Sequence, residues 1–216
     1  VATIHDTDGA TRLLSSSGGT LTLWDLAASP AALSTVTLRD TIVSAVLDGP
    51  VAFAVLVDKS LWRVDLSSAT GSSTIIPLGG APSIVARSQT AIAVADLNAE
   101  GTTRIRYFPS GDPASVASEA VFEGLATSGI AVSQDHLVVG VTFRGIVVAD
   151  FSGSDPLVSV VPASNRGPVR GLAISGSELL VAGTGTLDIW NLDTRTLKRS
   201  VDLPFESTSI AAGESF

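Results

Sequence analysis

Five short apolar strands, each closing on an aromatic or acidic residue and running into a polar turn, recur about forty residues apart along this 216-residue chain. They read TLTLWDL at 20–26, SLWRVDL at 60–66, RIRYFPS at 104–110, GIVVADF at 145–151 and TLDIWNL at 186–192. Asp25 and Asp65 lie 40 apart, and Asp150 and Asn191 lie 41 apart. The 85 residues between Asp65 and Asp150 are two periods, with the 104–110 copy between them. A unit this short cannot hide its own apolar faces, so each copy must stack on the next.

Further features keep the same beat. A first strand of the pattern apolar, small, apolar, polar recurs at 45–48, 84–87, 130–133 and 172–175, and each copy is followed by a turn and a strand rich in small residues at 51–56, 91–95, 137–140 and 179–183. Small side chains suit strands near a crowded axis where neighbouring units converge. The landmark strand comes third, and a fourth, outer strand ends near Leu38, Leu78, Phe122, Val161 or Leu203. Four strands per period is one blade of a β-propeller. The expected blades span about 1–39, 40–78, 79–122, 123–163 and 164–204.

Residues 205–216 repeat the start of a blade, although the first blade has its own inner strand at 2–6, so a sixth blade is expected to begin there. The segment is then either the first strand of a further blade in a larger ring or a closing strand against the first blade.

Composition agrees with an all-β chain. The hydrophobic fraction is 45%, yet valine, isoleucine, leucine and alanine come in short runs broken by glycine, serine, aspartate and proline, with no sustained helical stripe. Net charge is −8, and the longest basic cluster is Lys198-Arg199, which argues against a nucleic-acid partner. No run approaches the roughly 20 apolar residues of a membrane helix, so no direct membrane insertion is expected, and residues 1–6 lack the pattern of a signal peptide. Cysteine is absent, which removes disulfides and thiolate chemistry. Methionine is absent too, so residue 1 is expected not to be the translational start. Loss of both sulfur residues, with arginine far exceeding lysine, points to a bacterial protein that is extracellular, at the cell surface or periplasmic.

Two blades carry a family resemblance. GIVVADFSGSDP at 145–156 and LTLWDLAASP at 21–30 resemble the LVIVD repeat of bacterial and archaeal surface propellers, a strand ending in aspartate before a serine and proline turn. The fifth blade, LDIWNLDTRTL at 187–197, looks more like a WD40 or quinoprotein-type blade. The Gly-His pair that usually opens WD40 blades is missing, so that family's aspartate–histidine network is not expected. The resemblance implies a binding scaffold, and propellers as a fold host enzymes and adaptors alike.

Chemistry-bearing motifs are sparse. Asp6-Thr7-Asp8-Gly9 has the spacing of some calcium loops but lacks the downstream acidic ligand, and a tight turn explains it equally well. His5 and His136, the only two histidines, fall short of the three or four ligands of a usual metal site. There is no G-x-S-x-G, and Gly183-Thr184-Gly185 joins two strands rather than opening a helix, so it is a turn and not a phosphate loop. Trp24, Trp62 and Trp190 fit inter-blade packing, with an aromatic contact surface as the alternative. No catalytic residues, metal ligands or cofactors are expected.

The best functional address is geometric. Loops joining second to third strands and blade to blade gather on one face of a propeller, and here that face would present Arg39, Asp58, Lys59, Arg144, Arg166 and Arg170 as partner-binding residues. The expected function is a non-catalytic scaffold of a bacterial surface or secreted protein, binding protein or glycan partners. A lyase or hydrolase with a site in the central channel is the first alternative. A structural subunit of a larger assembly is the second.

Overall fold

In the computed structural model the strands form five four-stranded antiparallel sheets. The structure describes residues 2–7, 10–26, 29–67, 73–88, 91–97, 101–109, 118–123, 129–133, 137–142, 145–161, 169–204 and 210; of 2–7, 10, 82–83, 137–142 and 161 it describes the backbone alone. The first sheet holds β1 (Ala2–Thr7), β2 (Ala10–Ser17), β3 (Thr20–Asp25) and β4 (Ala31–Thr37). The second holds β5 (Ile42–Asp48), β6 (Val51–Leu56), β7 (Ser60–Asp65) and β8 (Ser73–Pro77). The third holds β9 (Ala81–Arg87), β10 (Ala91–Leu97), β11 (Thr102–Pro109) and β12 (Ser118–Glu123). The fourth holds β13 (Ile130–Val132), β14 (Leu137–Thr142), β15 (Gly145–Asp150) and β16 (Leu157–Val161). The fifth holds β17 (Gly171–Ser175), β18 (Glu178–Gly183), β19 (Thr186–Asn191) and β20 (Thr196–Asp202). Strands sit in each sheet in sequence order, and all five landmark segments are third strands.

The chain divides into two compact units, 1–86 with 94–99, and 87–93 with 100–216. In the first, Leu14, Leu21 and Leu23 of the first sheet share a core with Leu47, Ala54, Leu56 and Trp62 of the second. In the second, Ile146 and Val148 on β15 share a core with Leu179 and Val181 on β18, and Trp190 packs against it. Trp62 and Trp190 therefore serve packing between successive sheets. Leu21 and Leu23 point the same way because strand side chains alternate. The second strands β6 and β10 are buried on nearly every residue, and their alanines let other chain segments approach both faces closely.

Backbone hydrogen bonds outside the strands repeat at equivalent places in the first, second and fifth sheets. At one end of the sheets, Leu38, Leu78 and Leu203 each donate an N–H to the turn between second and third strands, at the carbonyls of Gly19, Lys59 and Gly185, over 2.7–2.8 Å. At the other, Leu26, Leu66 and Leu192 donate to Thr11, Pro50 and Ser177 over 2.7–2.9 Å. These stitches tie the exits of the third and fourth strands to the neighbouring turns. Side chains finish the corner: Asp65 Oδ1 accepts from the Ser67 amide at 2.8 Å, Asp150 Oδ1 from the Ser152 amide at 2.9 Å, and Asn191 Oδ1 from the Thr194 amide at 2.7 Å. Asp65 and Asp150 thus build turns of the Asx type, bonding two residues on, and Asn191 caps its turn three residues on.

Trp24 and Trp190 share a further device. The ladder slips by one residue between Leu23 and Trp24 and again between Ile189 and Trp190, a bulge at the same place in the first and fifth sheets. The extra residues are Leu33 and Lys198, and both side chains turn outward to solvent. Their indoles differ, however: Trp24 Nε1 donates to Ser15 Oγ at 2.8 Å, whereas Trp190 Nε1 is buried with no partner. Leu13 faces Trp24 and Leu179 faces Trp190, so the residue two further on is Ser15 in one sheet and Val181 in the other. Val181 supplies no acceptor. Ser15→Ala is accordingly expected to lower unfolding free energy by about 1–2 kcal/mol in urea titrations, with the exposed Ser17→Ala changing it by less than about 0.5 kcal/mol.

Candidate functional site

Arg39, Asp58, Ser60 and Trp62 form one connected cluster at an end of the second sheet. Arg39 lies in the connection from β4 to β5, Asp58 in the turn from β6 to β7, and Ser60 and Trp62 on β7 itself. Ser60 and Trp62 are two apart on one strand and so share a face. Trp62 Nε1 donates to Ser60 Oγ at 2.8 Å, and the Ser60 hydroxyl donates in turn to Asp58 Oδ1. Arg39 Nε donates to Asp58 Oδ2, while its guanidinium carbon sits 5.7 Å from the centre of the Trp62 ring. The four side chains close a loop in which one hydroxyl relays between an indole and a carboxylate.

The electrostatics follow from this geometry. Partial burial would raise the Asp58 pKa, but hydrogen bonds from Ser60 and Arg39 and the Arg39 charge outweigh it and hold the carboxyl below its ordinary 3.8. Asp65 is also held low, by the hydroxyl and the amide of Ser67. A carboxyl whose folded pKa lies below its unfolded value adds stability above the unfolded pKa and loses it as pH falls through the folded one. Both groups therefore contribute fully at neutral pH, and their contribution is expected to fade below about pH 4. Asp58→Asn and Asp65→Asn should flatten the acid limb of the stability profile, read as thermal midpoint against pH.

The partner-binding residues expected from sequence separate into groups. Arg39 and Asp58 are brought together, with the Arg39 side chain 56% exposed over its anchoring carboxylate. Lys59 is exposed beside them in a left-handed backbone conformation, φ 66°, and its carbonyl accepts the Leu78 stitch. Arg170 is exposed just ahead of β17, with its amide bonded to the Ala182 carbonyl at 2.7 Å. Arg144 and Arg166 lie outside the described residues, as do His136 and the sixth-blade start at 205–216 apart from Ile210. His5 and Asp6 are described by backbone alone, within β1, and Asp8 and Gly9 are not described.

Sequence reasoning missed the pairing of Arg39 with Asp58. It also missed two buried carboxylates on strands. Asp188 on β19 accepts from Ser200 Oγ at 2.5 Å across the ladder, and Asp96 on β10 is fully buried. In the third and fourth sheets Tyr107 stacks on Phe151, ring centres 4.9 Å apart and planes 12° apart, and burial pushes the Tyr107 hydroxyl pKa up. Among the described residues no three His, Cys, Asp or Glu side chains cluster as metal ligands would.

Four-stranded antiparallel sheets, ordered from first strand to last and stitched at both ends in the first, second and fifth, are blades of the β-propeller class. Comparison with solved structures returns that class. The chain is similar to a chain in a crystal structure of the Mitotic Checkpoint Complex, with TM-score 0.68 and 15% identity over 92% of this chain and 63% of that one. It is also similar to the β-propeller domain of Myceliophteria thermophila Cps50 (Swd1), with TM-score 0.70 and 15% identity over 93% of this chain and 73% of that one. The chain thus spans under two thirds of the first of these. No protein-family profile matches the sequence, and no curated protein matches it.

Proposed function

We propose that the chain is a non-catalytic β-propeller scaffold of a bacterial surface or secreted protein, binding protein or glycan partners. The observation that carries this reading is the Arg39 cluster. An exposed guanidinium is held in place by a carboxylate and an aromatic face, so it reaches a partner with less rotamer freedom left to lose. Lys59 and Arg170 add cationic side chains at the ends of their own sheets where the second-to-third-strand turns lie, and Arg144 and Arg166 belong to the same class of loop in the sequence. One structural neighbour comes from a protein complex, which favours protein partners. The surface or secreted location rests on the LVIVD-like blades and the absence of sulfur residues.

The test is binding by the whole chain to glycan arrays and to extracts, followed by titration of each recovered partner. Arg39→Glu, Arg170→Glu and the pair Arg144→Glu/Arg166→Glu are compared with the unaltered chain. Loss of about tenfold or more in affinity from at least one of them supports the reading, since a hot-spot arginine is worth about 2 kcal/mol. Unchanged affinity in all three removes this surface.

A further inference from the structure

All five fourth strands, β4, β8, β12, β16 and β20, end their sheets, and an edge strand presents unpaired backbone groups to any strand that reaches it. Most of these edges carry a deterrent. β20 has Lys198 and Arg199, β12 has Glu119 and Glu123, and β4 and β8 each expose a single large aliphatic, Leu33 and Ile75. β16 differs. Its sequence, like those of β4 and β8, holds no charge, but among the described residues it is the fourth strand that exposes three large aliphatics, Leu157, Val158 and Val160, at 69%, 40% and 54%, and β12, which touches it, exposes Val121.

The sequence also specifies what could cover it. Pro156-Leu157-Val158-Ser159-Val160-Val161-Pro162 is nearly symmetric about its central serine, with Leu157 set against Val161, Val158 against Val160 and a proline at each end. Antiparallel pairing with an identical strand about Ser159 would place Leu157 opposite Val161, Val158 opposite Val160 and Ser159 opposite itself. No charge would be opposed to another within the strand, and the prolines would end the ladder on both sides. We propose that β16 is a self-pairing edge, through which two copies of this chain associate about a two-fold axis at Ser159. Such an interface is isologous and closes at two. Its ladder is five residues long, well below a standard interface, so the dimer is a weak one.

Sedimentation equilibrium of the whole chain over micromolar to millimolar concentrations tests this. Mass is expected to rise from 21.9 kDa towards twice that value and to stop there. Val160→Lys is expected to weaken association at least tenfold, and adding Val158→Glu to recover most of it, because each new glutamate then faces the partner's new lysine. Ser159→Cys, in a chain with no other cysteine, is expected to form a disulfide dimer under mild oxidation faster than Leu33→Cys on β4. A strict monomer throughout, a dimer untouched by Val160→Lys, assemblies that grow beyond two, or equal crosslinking by the two cysteine variants would each overturn the proposal. An unchanged thermal midpoint shows that the lysine variant still folds.

Discussion

Gly80→Ala is expected to lower the unfolding free energy by about 3 kcal/mol and the thermal midpoint by roughly 6–12 °C. A Cβ at this position would lie 2.5 Å from the Leu97 carbonyl oxygen, 2.8 Å from Asp96 Oδ1 and 2.9 Å from the Leu97 carbonyl carbon. Two of those three atoms are backbone at the end of β10, and the third belongs to a carboxylate that is fully buried. The two backbone atoms cannot move away without breaking the strand. Gly101 makes the control. It has φ +78° with open space around its Cβ position, so alanine there carries only the backbone penalty of about 1 kcal/mol. Equal losses at the two glycines would mean that the close approach at Gly80 is not what the fold depends on.

Trp62 is expected to give the second large effect, and its variants separate three contributions. Trp62→Ala removes a buried ring from the core shared by the first two sheets, and is expected to destabilise by about 3–5 kcal/mol. Trp62→Phe keeps most of the packing but loses the indole donor to Ser60, at about 1–2 kcal/mol. Arg39→Ala and Asp58→Ala are expected to couple by no more than about 1 kcal/mol in a double-mutant cycle, since Arg39 is exposed to solvent and salt. That coupling should shrink as salt is raised. Urea titrations of the set read all of these, and strictly additive Arg39 and Asp58 effects would dissolve the cluster into unrelated neighbours.

The blade pattern was legible because it rests on local chemistry. Alternation of period two, turn residues at a fixed beat and an acidic or amide cap at four of the five third strands all act within a few residues, and Asp65, Asp150 and Asn191 build turns there. Long-range pairings were not legible in the same way. Arg39 and Asp58 are 19 residues apart, and only folding shows that the connection from β4 meets the turn before β7. One signal was available: Ser60 and Trp62 are two apart on one strand, with Asp58 two before them, which sets a polar relay along a single face. The bulges at Trp24 and Trp190 leave no local mark, since one slipped residue in the partner strand moves the outer side chains without altering any turn. The burial of Asp188 was not legible either. A carboxylate is usually exposed, and its burial is supported by Ser200 directly across the ladder.

The most direct test of the repeated blade is amide hydrogen exchange, followed residue by residue, at the six stitching leucines. Leu26, Leu38, Leu66, Leu78, Leu192 and Leu203 all lie just outside their strands, where isolated hairpins would leave amides open to water. Four-stranded blades stitched at both ends predict slow exchange at all six, comparable with amides inside β6 and β18. Exchange at these six as fast as in unstructured peptides would contradict the repeated architecture.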